Sequence, residues 1–196
     1  MPDKPIAAGK SSFSLIDAET LFAELALGED TVLLDLACGA GLYSLAATER
    51  IGGAGKIFAF DLWPEGIHAL NEEVAARQIK QIRTGIADVT KAIPLEDRSV
   101  DLCLLATVLH DFISIQAEAG TLREIRRVLK PGGTLALIEF KVMDGPPGPP
   151  IGIRIAPETV SDLLAAFGFS FIKTMELGPF NYLSLFNLFH TTGSIP

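Results

Sequence analysis

The sequence predicts an α/β fold with a seven-stranded, mostly parallel sheet and helices on both faces. Short apolar runs alternate along the chain with stretches whose apolar residues recur at helical spacing. This alternation is typical of parallel strands that are buried on both faces. Near the C-terminus, two strand-like runs are joined by the short turn Gly-Pro-Phe-Asn at residues 178–181. A turn this tight connects antiparallel neighbours, so the sheet is expected to end in an antiparallel hairpin.

The strands are predicted from apolar runs bounded by glycine, proline or acidic residues. They span residues 32–36, 57–60, 81–86, 100–106, 134–140, 169–177 and 182–189. Helices are predicted where apolar residues recur every three or four positions, with proline near the start or glycine at the end. Three of them span residues 42–50, 116–129 and 157–167, and a fourth begins at Pro64.

One more helix is predicted before the first strand. Asp17 can cap its N-terminus, and Leu21, Phe22 and Leu25 lie at the spacing of an apolar helix face. Gly28 follows this pattern and is expected to end the helix.

The length of the chain, 196 residues, favours a single domain. Within it we expect an N-terminal helical lid at residues 1–30, a ligand-binding core at 31–140, and a C-terminal part at 141–196. This last part contains a proline-rich connector at residues 144–150, a helix and the hairpin.

The charge of the chain argues against a nucleic-acid partner. It has 24 acidic and 16 basic residues and a formal net charge of −8, whereas proteins that bind nucleic acid neutralise phosphates with basic patches. The densest basic cluster follows a helical pattern and is interpreted as a solvated helix face. It consists of Arg123, Arg126, Arg127 and Lys130.

Cysteine usage and hydropathy predict a cytoplasmic protein without a metal. Cys38 and Cys103 lie in separate apolar segments and have no metal-ligand spacing, so free thiols are expected. The N-terminus lacks the apolar stretch of a signal peptide. The longest apolar run, residues 102–109, is far too short to span a membrane.

Acidic residues and a glycine turn follow consecutive strands of the predicted sheet. In parallel α/β sheets, ligands bind beyond the carboxyl ends of the strands. The first strand is followed by Gly39 and Gly41, the second ends at Asp61, and Asp88 follows the third. A carboxylate at Asp61 can accept hydrogen bonds from both hydroxyls of a ribose, and Asp88 can accept one from an adenine amino group. Leu62 or Trp63 can cover the adenine face.

Two ligand classes use a site of this shape, and the first strand distinguishes them. A dinucleotide fingerprint has the form Gly-x-Gly-x-x-Gly, but Ser44 stands at its last position here. Asp35, inside the strand, would repel a pyrophosphate and suits a ligand with a positively charged amino group. Its alternative role is to bind backbone amides of the glycine turn. A reductase that uses a nicotinamide cofactor is further disfavoured because neither tyrosine begins a Tyr-x-x-x-Lys pair.

Four segments in series resemble the class I S-adenosylmethionine-dependent methyltransferases. They are VLLDLACGAG, FAFDLWPEGI, GIADVTKAIPLEDRSVDLCLLATVLHDF and LREIRRVLKPGGTLALIEF, which lie between residues 32 and 140. Their order and spacing are similar to those of the type 11 small methyltransferases, which include C-methyltransferases of quinone biosynthesis. The resemblance implies a Rossmann-like sheet, S-adenosylmethionine as the cofactor, and S-adenosylhomocysteine as its product.

The resemblance also implies ten cofactor-binding positions. They are Asp35, Ala37, Cys38, Gly39, Gly41, Asp61, Leu62, Asp88, Val89 and Ala106. Ala37 departs from the family pattern, which has glycine there, and its methyl group is expected to narrow the turn slightly. Cys38 is a common residue at its position in the family and is not interpreted as a nucleophile.

The methyl acceptor is expected to contact the N-terminal segment and the loops after the fourth and fifth strands. Four candidate residues are Phe13, Tyr43, His110 and Phe112, which predict a small, partly apolar acceptor. His110 is a candidate general base because its side chain titrates near neutral pH, and its alternative role is structural. The sequence after the fourth strand lacks the Asn-Pro-Pro-Tyr type of signature found in enzymes that methylate amide or base nitrogens.

The predicted reaction is an in-line attack of the acceptor on the sulfonium methyl group. Two other functions remain open: a protein that binds S-adenosylmethionine without turnover, and a nicotinamide-dependent reductase. Because the predicted lid is one short helix, a homodimer whose partner completes the site is also considered.

Overall fold

The computed structural model describes residues 8–188, which contain one seven-stranded sheet. Its spatial order is β3-β2-β1-β4-β5-β7-β6. The strands are β1 (Val32–Leu36), β2 (Lys56–Asp61), β3 (Ile82–Ile86), β4 (Val100–Ala106), β5 (Leu129–Phe140), β6 (Phe169–Glu176) and β7 (Asn181–Leu188). Strands β1 to β5 pair in parallel, and β7 is antiparallel to both β5 and β6. The predicted fold class is confirmed.

Six α-helices within the described residues cover this sheet. They are α1 (Ala18–Leu25), α2 (Leu42–Ala47), α3 (Pro64–Ala76), α4 (Leu109–Ser114), α5 (Glu118–Val128) and α6 (Pro157–Ala165). Short 3-10 helices lie at Phe13–Leu15 and Ile151–Ile153. No helix within residues 8–188 has the length and apolar character needed to cross a membrane.

The core has two layers because side chains of a strand alternate between the faces of the sheet. Leu34 and Leu36 of β1 pack on one face with residues of α4, α5 and α6. Leu33 of the same strand packs on the other face with residues of α1, α2 and α3. Continuous apolar strands therefore arise because both faces are covered by helices.

The predicted end of helix α1 and the predicted start of strand β5 are wrong. Helix α1 ends at Leu25, with Ala26 at φ +48° as its C-cap, so Gly28 does not end it. Gly28 instead donates its backbone N–H to the hydroxyl of Thr31 at 2.8 Å. Strand β5 begins at Leu129 rather than 134, because Leu129 already pairs with Val100.

Two further differences concern the ends of predicted elements. Helices α2 and α5 are shorter than the predicted spans 42–50 and 116–129. The last predicted strand extended to Phe189, which lies outside the described residues.

The topology brings the loops of interest to one edge of the sheet. The carboxyl ends of β1 to β5 meet there, because these strands are parallel. Strand β6 also ends at this edge, since two successive antiparallel pairings restore its direction. This carboxyl edge is where the glycine turn, Asp61, Asp88 and His110 lie.

Candidate functional site

The glycine turn between β1 and α2 has a backbone that ordinary residues rarely adopt. Ala37, Gly39 and Gly41 have φ angles of +58°, +58° and +72°. A side chain at Gly41 would come within 2.5 Å of Leu70, whereas a Cβ at Gly39 would meet nothing within 4 Å. The turn is therefore packed against Leu70 at Gly41 and has free space beside Gly39. Ala37 occupies the left-handed region at a cost of about 1–2 kcal/mol, which is the strain expected where the family has glycine.

Asp35 anchors the start of α2 from inside β1. Its Oδ2 accepts hydrogen bonds from the backbone N–H of Ser44 at 3.1 Å and from the Ser44 hydroxyl at 2.6 Å. Burial raises the pKa of Asp35 to about 6, although the two bonds from Ser44 oppose this shift. The carboxylate thus holds the start of α2 beside the turn.

Asp61 connects the glycine turn to the loop after β2. Its Oδ2 accepts the backbone N–H of Gly39 at 2.7 Å, and its Oδ1 accepts that of Trp63 at 2.7 Å. The side chain is 9% exposed. Each carboxylate oxygen can accept a second hydrogen bond, so this residue can hold a pair of hydroxyls beside the turn.

Asp88 lies in the loop after β3 and is held by its own neighbours. Its Oδ1 accepts the Thr90 hydroxyl at 2.5 Å, and its Oδ2 is 2.7 Å from the ammonium of Lys91. Burial would raise the pKa of Asp88, but the bonds from Lys91 and Thr90 prevail and lower it. The carboxylate is therefore ionised and able to accept a further hydrogen bond.

The remaining predicted cofactor positions differ in exposure. Leu62 is 44% exposed, Val89 is buried at 4%, and Ala106 is partly buried at the end of β4. Cys38 is partly buried, and burial together with Asp35 and Asp61 raises the pKa of its thiol. A thiol with a raised pKa is a poor nucleophile, in agreement with its interpretation as a residue of the turn.

The N-terminal segment is fastened to the carboxyl edge by three hydroxyl groups, here called the hydroxyl latch. The Ser12 hydroxyl lies 2.8 Å from the Tyr43 hydroxyl and 3.0 Å from that of Thr107. The ring of Phe13 packs edge-on against Tyr43 with 5.0 Å between centroids. Phe13 and Tyr43 are thus brought together, as the predicted acceptor site requires.

Phe112 lies elsewhere than its predicted partners. It is 7% exposed and packs in the core on the α5 side of the sheet. The structure shows a packing role for it, and contact with an acceptor stays a prediction.

His110 is in α4 and bonds to a strand rather than to solvent. Its Nδ1 lies 2.8 Å from Oε2 of Glu139, and Oε1 of Glu139 accepts the backbone N–H of His110 at 3.2 Å. Its Nε2 lies 3.7 Å from Oδ1 of Asp111. Burial lowers the pKa of His110, but Glu139 and Asp111 more than offset this and raise it. The imidazole therefore has two acidic neighbours, of which Glu139 is the hydrogen-bonded one.

The connector after β5 is organised by a buried arginine. Arg154, 8% exposed, donates hydrogen bonds to the backbone carbonyls of Lys141, Gly145, Pro147 and Pro149. Its guanidinium also lies 5.6 Å from the ring centroid of Phe140. The connector is thus held in one shape beside His110.

Comparison with known proteins decides the family. Residues 34–137 match the family described as "Methyltransferase domain", type 11. The chain belongs to this methyltransferase family. The match covers the glycine turn, Asp61, Asp88 and most of β5, so the family predicted from four sequence segments is confirmed.

Individual proteins agree with this assignment of the methyltransferase domain. An uncharacterized methyltransferase-like protein of Schizosaccharomyces pombe is 37% identical over 117 residues, 59% of this chain and 40% of its own length. The demethylmenaquinone methyltransferase of Lactiplantibacillus plantarum is 28% identical over 127 residues, 63% of this chain and 51% of its own. The crystal structure of a SAM-dependent methyltransferase from Aquifex aeolicus has a TM-score of 0.83 and 27% identity, and covers 93% of this chain and 95% of that one.

The methyltransferase domain spans only about half the length of the two curated relatives. At the level of the domain, the predicted S-adenosylmethionine-dependent methyltransferase is confirmed. What the whole protein methylates is a separate question.

Sequence reasoning missed four residues around the site. They are Glu139, Ser12, Thr107 and Arg154. One signal was available: Glu139 is an acidic residue inside an apolar strand run, the same feature that drew attention to Asp35. The hydroxyl latch and the carbonyl contacts of Arg154 join segments that are distant in sequence, and no local pattern marks them.

Proposed function

We propose that this protein transfers a methyl group from S-adenosylmethionine to a small, partly apolar acceptor. The observation that carries the proposal is Asp61, which bonds the open glycine turn at Gly39 and the next loop at Trp63. A carboxylate in this place could accept hydrogen bonds from two hydroxyls of a ligand that lies against the open side of the turn.

The residues of the site fit this cofactor. Asp35 would attract the ammonium group of the cofactor, and the open side of Gly39 admits a ligand against the backbone. Asp61 would hold the ribose hydroxyls, and Asp88 and Leu62 would hold the adenine. We assign the supporting contacts to Ala37, Cys38, Gly41, Val89 and Ala106, which line the same edge.

The bound cofactor supplies a methyl group that positive sulfur has already activated. The task of the protein is therefore to align the acceptor and to exclude water, which is worth on the order of 7–11 kcal/mol in the best cases. Phe13 and Tyr43 would cover the acceptor, whereas contact of the acceptor with Phe112 stays a prediction from the sequence. His110 would accept the proton that an acceptor nucleophile must lose, a contribution of roughly 10²–10⁴-fold in rate.

The relatives support a small molecule as acceptor. The protein from Lactiplantibacillus plantarum is named for demethylmenaquinone, a small molecule. A cytoplasmic location, the absence of a nucleic-acid partner, and a homodimer stay predictions from the sequence. So does a single domain over residues 1–196.

Calorimetry with purified protein tests cofactor binding. We expect S-adenosylmethionine and S-adenosylhomocysteine to bind, and NAD not to bind. Asp61→Asn should weaken binding by about 10- to 100-fold, because a charged acceptor for two hydroxyls is lost. Asp162→Asn, a change in an exposed acid of α6, is the matched control and should leave affinity unchanged.

Two outcomes would reject the proposal. Binding of NAD without binding of either sulfur compound would favour the reductase. Binding of S-adenosylmethionine without release of S-adenosylhomocysteine in any acceptor mixture would favour the non-catalytic binding protein.

A further inference from the structure

A buried ionisable cluster lies beside the cofactor motifs, at the carboxyl edge of β4 and β5. Its members are His110, Asp111 and Glu139, with exposed fractions of 4%, 8% and 0%. Glu139 lies next to Ile138 in β5, which is otherwise apolar from Leu135 to Phe140. An acid at this position is costly to bury unless it is paired, so its partners indicate its role.

Both carboxylate oxygens of Glu139 are within hydrogen-bond distance of His110. Oε2 lies 2.8 Å and Oε1 3.0 Å from Nδ1 of His110, and Oε1 also accepts the backbone N–H of His110. Oε2 accepts the backbone N–H of Phe140 at 3.2 Å, which fixes the carboxylate itself. A carboxylate on Nδ1 requires a proton there, so in neutral His110 the other nitrogen, Nε2, is the proton acceptor.

Stability alone does not explain this pair. Replacing a buried ion pair by apolar residues of similar size is often neutral or stabilising. Apolar residues in place of both Glu139 and His110 would therefore cost the fold little. Proton transfer at His110 explains the pair better than stability does, because a base that is oriented by an acid is a recurrent catalytic arrangement.

The N-terminal segment passes over the loop that leads into α4. Burial raises the pKa of Asp111, and Lys10 is close enough to oppose this rise. Ser12 is bonded to Thr107, three residues before His110.

We propose that Glu139 is a positioning residue for methyl transfer: it holds Nδ1–H of His110, so that Nε2 takes the proton of the acceptor nucleophile. This inference rests on the proposed function. The bond from the nucleophilic atom to hydrogen breaks and its electron pair forms the bond to the methyl carbon. The electron pair of the sulfur–carbon bond stays on sulfur, and the proton ends on Nε2.

Several charged groups face this imidazole. Glu139 on β5 and Asp111 on α4 raise its pKa, whereas burial and Arg154 after the second 3-10 helix lower it. The Tyr182 hydroxyl on β7 donates to the carbonyl of Ile155, and burial with Glu139 raises its pKa, so it stays neutral. Because the pKa of His110 is raised overall, its base form is reached as pH increases above the ordinary value of about 6.5.

The first test is a titration of the histidines by NMR in the whole protein. In wild type, neutral His110 should carry its proton on Nδ1. Glu139→Gln should lower the pKa of His110 by about one unit or more, and the proton of neutral His110 should then no longer favour Nδ1 over Nε2. His68, an exposed residue paired with Glu72, is the internal control. Neutral His110 with its proton on Nε2 would overturn the proposal.

The second test separates positioning from a purely structural role. Release of S-adenosylhomocysteine is followed against pH with 1,4-naphthohydroquinone, a phenol and a thiol as acceptors, all of which carry a proton on the nucleophile. Glu139→Gln should lower kcat by about 10- to 100-fold, keep KM for S-adenosylmethionine within twofold, and shift the rise of activity to lower pH. The matched control Glu176→Gln changes an exposed acid that pairs with Lys141 and should preserve the wild-type pH profile.

The double variant H110Q/E139Q keeps the proposal testable if Glu139→Gln does not fold. It removes the hydrogen-bonded pair as a whole, and it should be no slower than His110→Gln alone, since the two residues act as one unit. Multiplied losses in the double variant or an unshifted pH profile in Glu139→Gln would overturn the role of Glu139, whereas binding of cofactor without methylation by the wild-type protein would count against the proposed function. Failure of cofactor binding in calorimetry would instead reject the proposed function.

Discussion

At the scale of single residues, Asp35 is a buried acid whose ionisation lowers the stability of the folded protein. It is 1% exposed, and burial raises its pKa from 3.8 to about 6. The folded protein therefore holds a proton on Asp35 more tightly than the unfolded chain does. As pH rises from about 4 to about 6, the unfolded state ionises first, so folding stability falls across this window.

Asp35→Asn should stabilise the protein without ligand at pH 7.5. The amide oxygen can still accept both bonds from Ser44, and the cost of burying a charge disappears. We expect a gain of up to about 3 kcal/mol, from about 1.36 kcal/mol for each pKa unit. Urea denaturation at pH 7.5 and pH 4 measures this gain, which should vanish at the lower pH.

The same substitution should weaken binding of S-adenosylmethionine in calorimetry. The control for stability is Asp162→Asn, whose side chain is exposed and whose effect should be small at both pH values. An equal effect of Asp35→Asn at pH 4 and pH 7.5 would show that the buried charge is not the cause.

At the scale of elements, predictions succeeded where one continuous pattern defines the element. Strands β1 and β4 begin and end at the predicted residues. Helix α4 was not predicted, because its six residues are too few for a helical repeat to be recognised. Its start also follows Thr107 at φ +51°, a conformation set by the surrounding chain.

The hydroxyl latch predicts how firmly the N-terminal segment is held. Ser12→Ala removes both of its bonds, to Tyr43 and to Thr107, which are worth about 1 kcal/mol each. Backbone amides of residues 10–16 should then exchange with deuterium about 5- to 30-fold faster, because local opening costs less. Hydrogen-exchange mass spectrometry measures this, while the melting temperature should change little.

Ser11→Ala is the control within the same segment. Ser11 is exposed and its hydroxyl accepts only the nearby backbone N–H of Phe13. Its exchange rates should stay within about twofold of wild type. Equal exchange in both variants would mean that the latch does not hold the segment.

At the scale of the whole molecule, the C-terminal hairpin and the cofactor site share one sheet. Phe186 of β7 is fully buried, pairs with Leu135 of β5, and contacts the ring of Phe171 on β6 at 5.8 Å. Strand β5 is in turn paired with β4, which lies beside β1 and its glycine turn. We therefore expect the hairpin and the site to unfold together.

Phe186→Ala should destabilise the protein by about 3–5 kcal/mol. Trp63, the sole tryptophan, lies next to Asp61 and reports on the cofactor site by its fluorescence, whereas circular dichroism reports on the whole fold. Both unfolding curves should shift by the same amount. Ile172→Ala, at a position 44% exposed on β6, is the control and should cost much less.

An unchanged Trp63 transition in Phe186→Ala would contradict the single domain predicted for residues 1–196. It would mean that the hairpin unfolds as a unit of its own. A common transition would support that prediction.

The sequence by itself determined the class of fold and the family, and it predicted Asp35, Asp61 and Asp88 as the acids of the cofactor site. Each depends on local patterns: apolar runs buried on both faces, a glycine turn, and acidic residues where strands end. Parallel topology brings such ends together at one edge, so Asp35, Asp61 and Asp88 could be grouped without coordinates.

Only the tertiary structure decided the surroundings of His110 and of the N-terminal segment. Glu139 meets His110 across 29 residues of sequence, and Ser12 meets Thr107 across 95. Contacts at such separation depend on how β5 lies beside β4 and how the N-terminal segment crosses the edge, and no short pattern encodes either. The contact of Glu139 with His110 and the hydroxyl latch were therefore found only in the folded molecule.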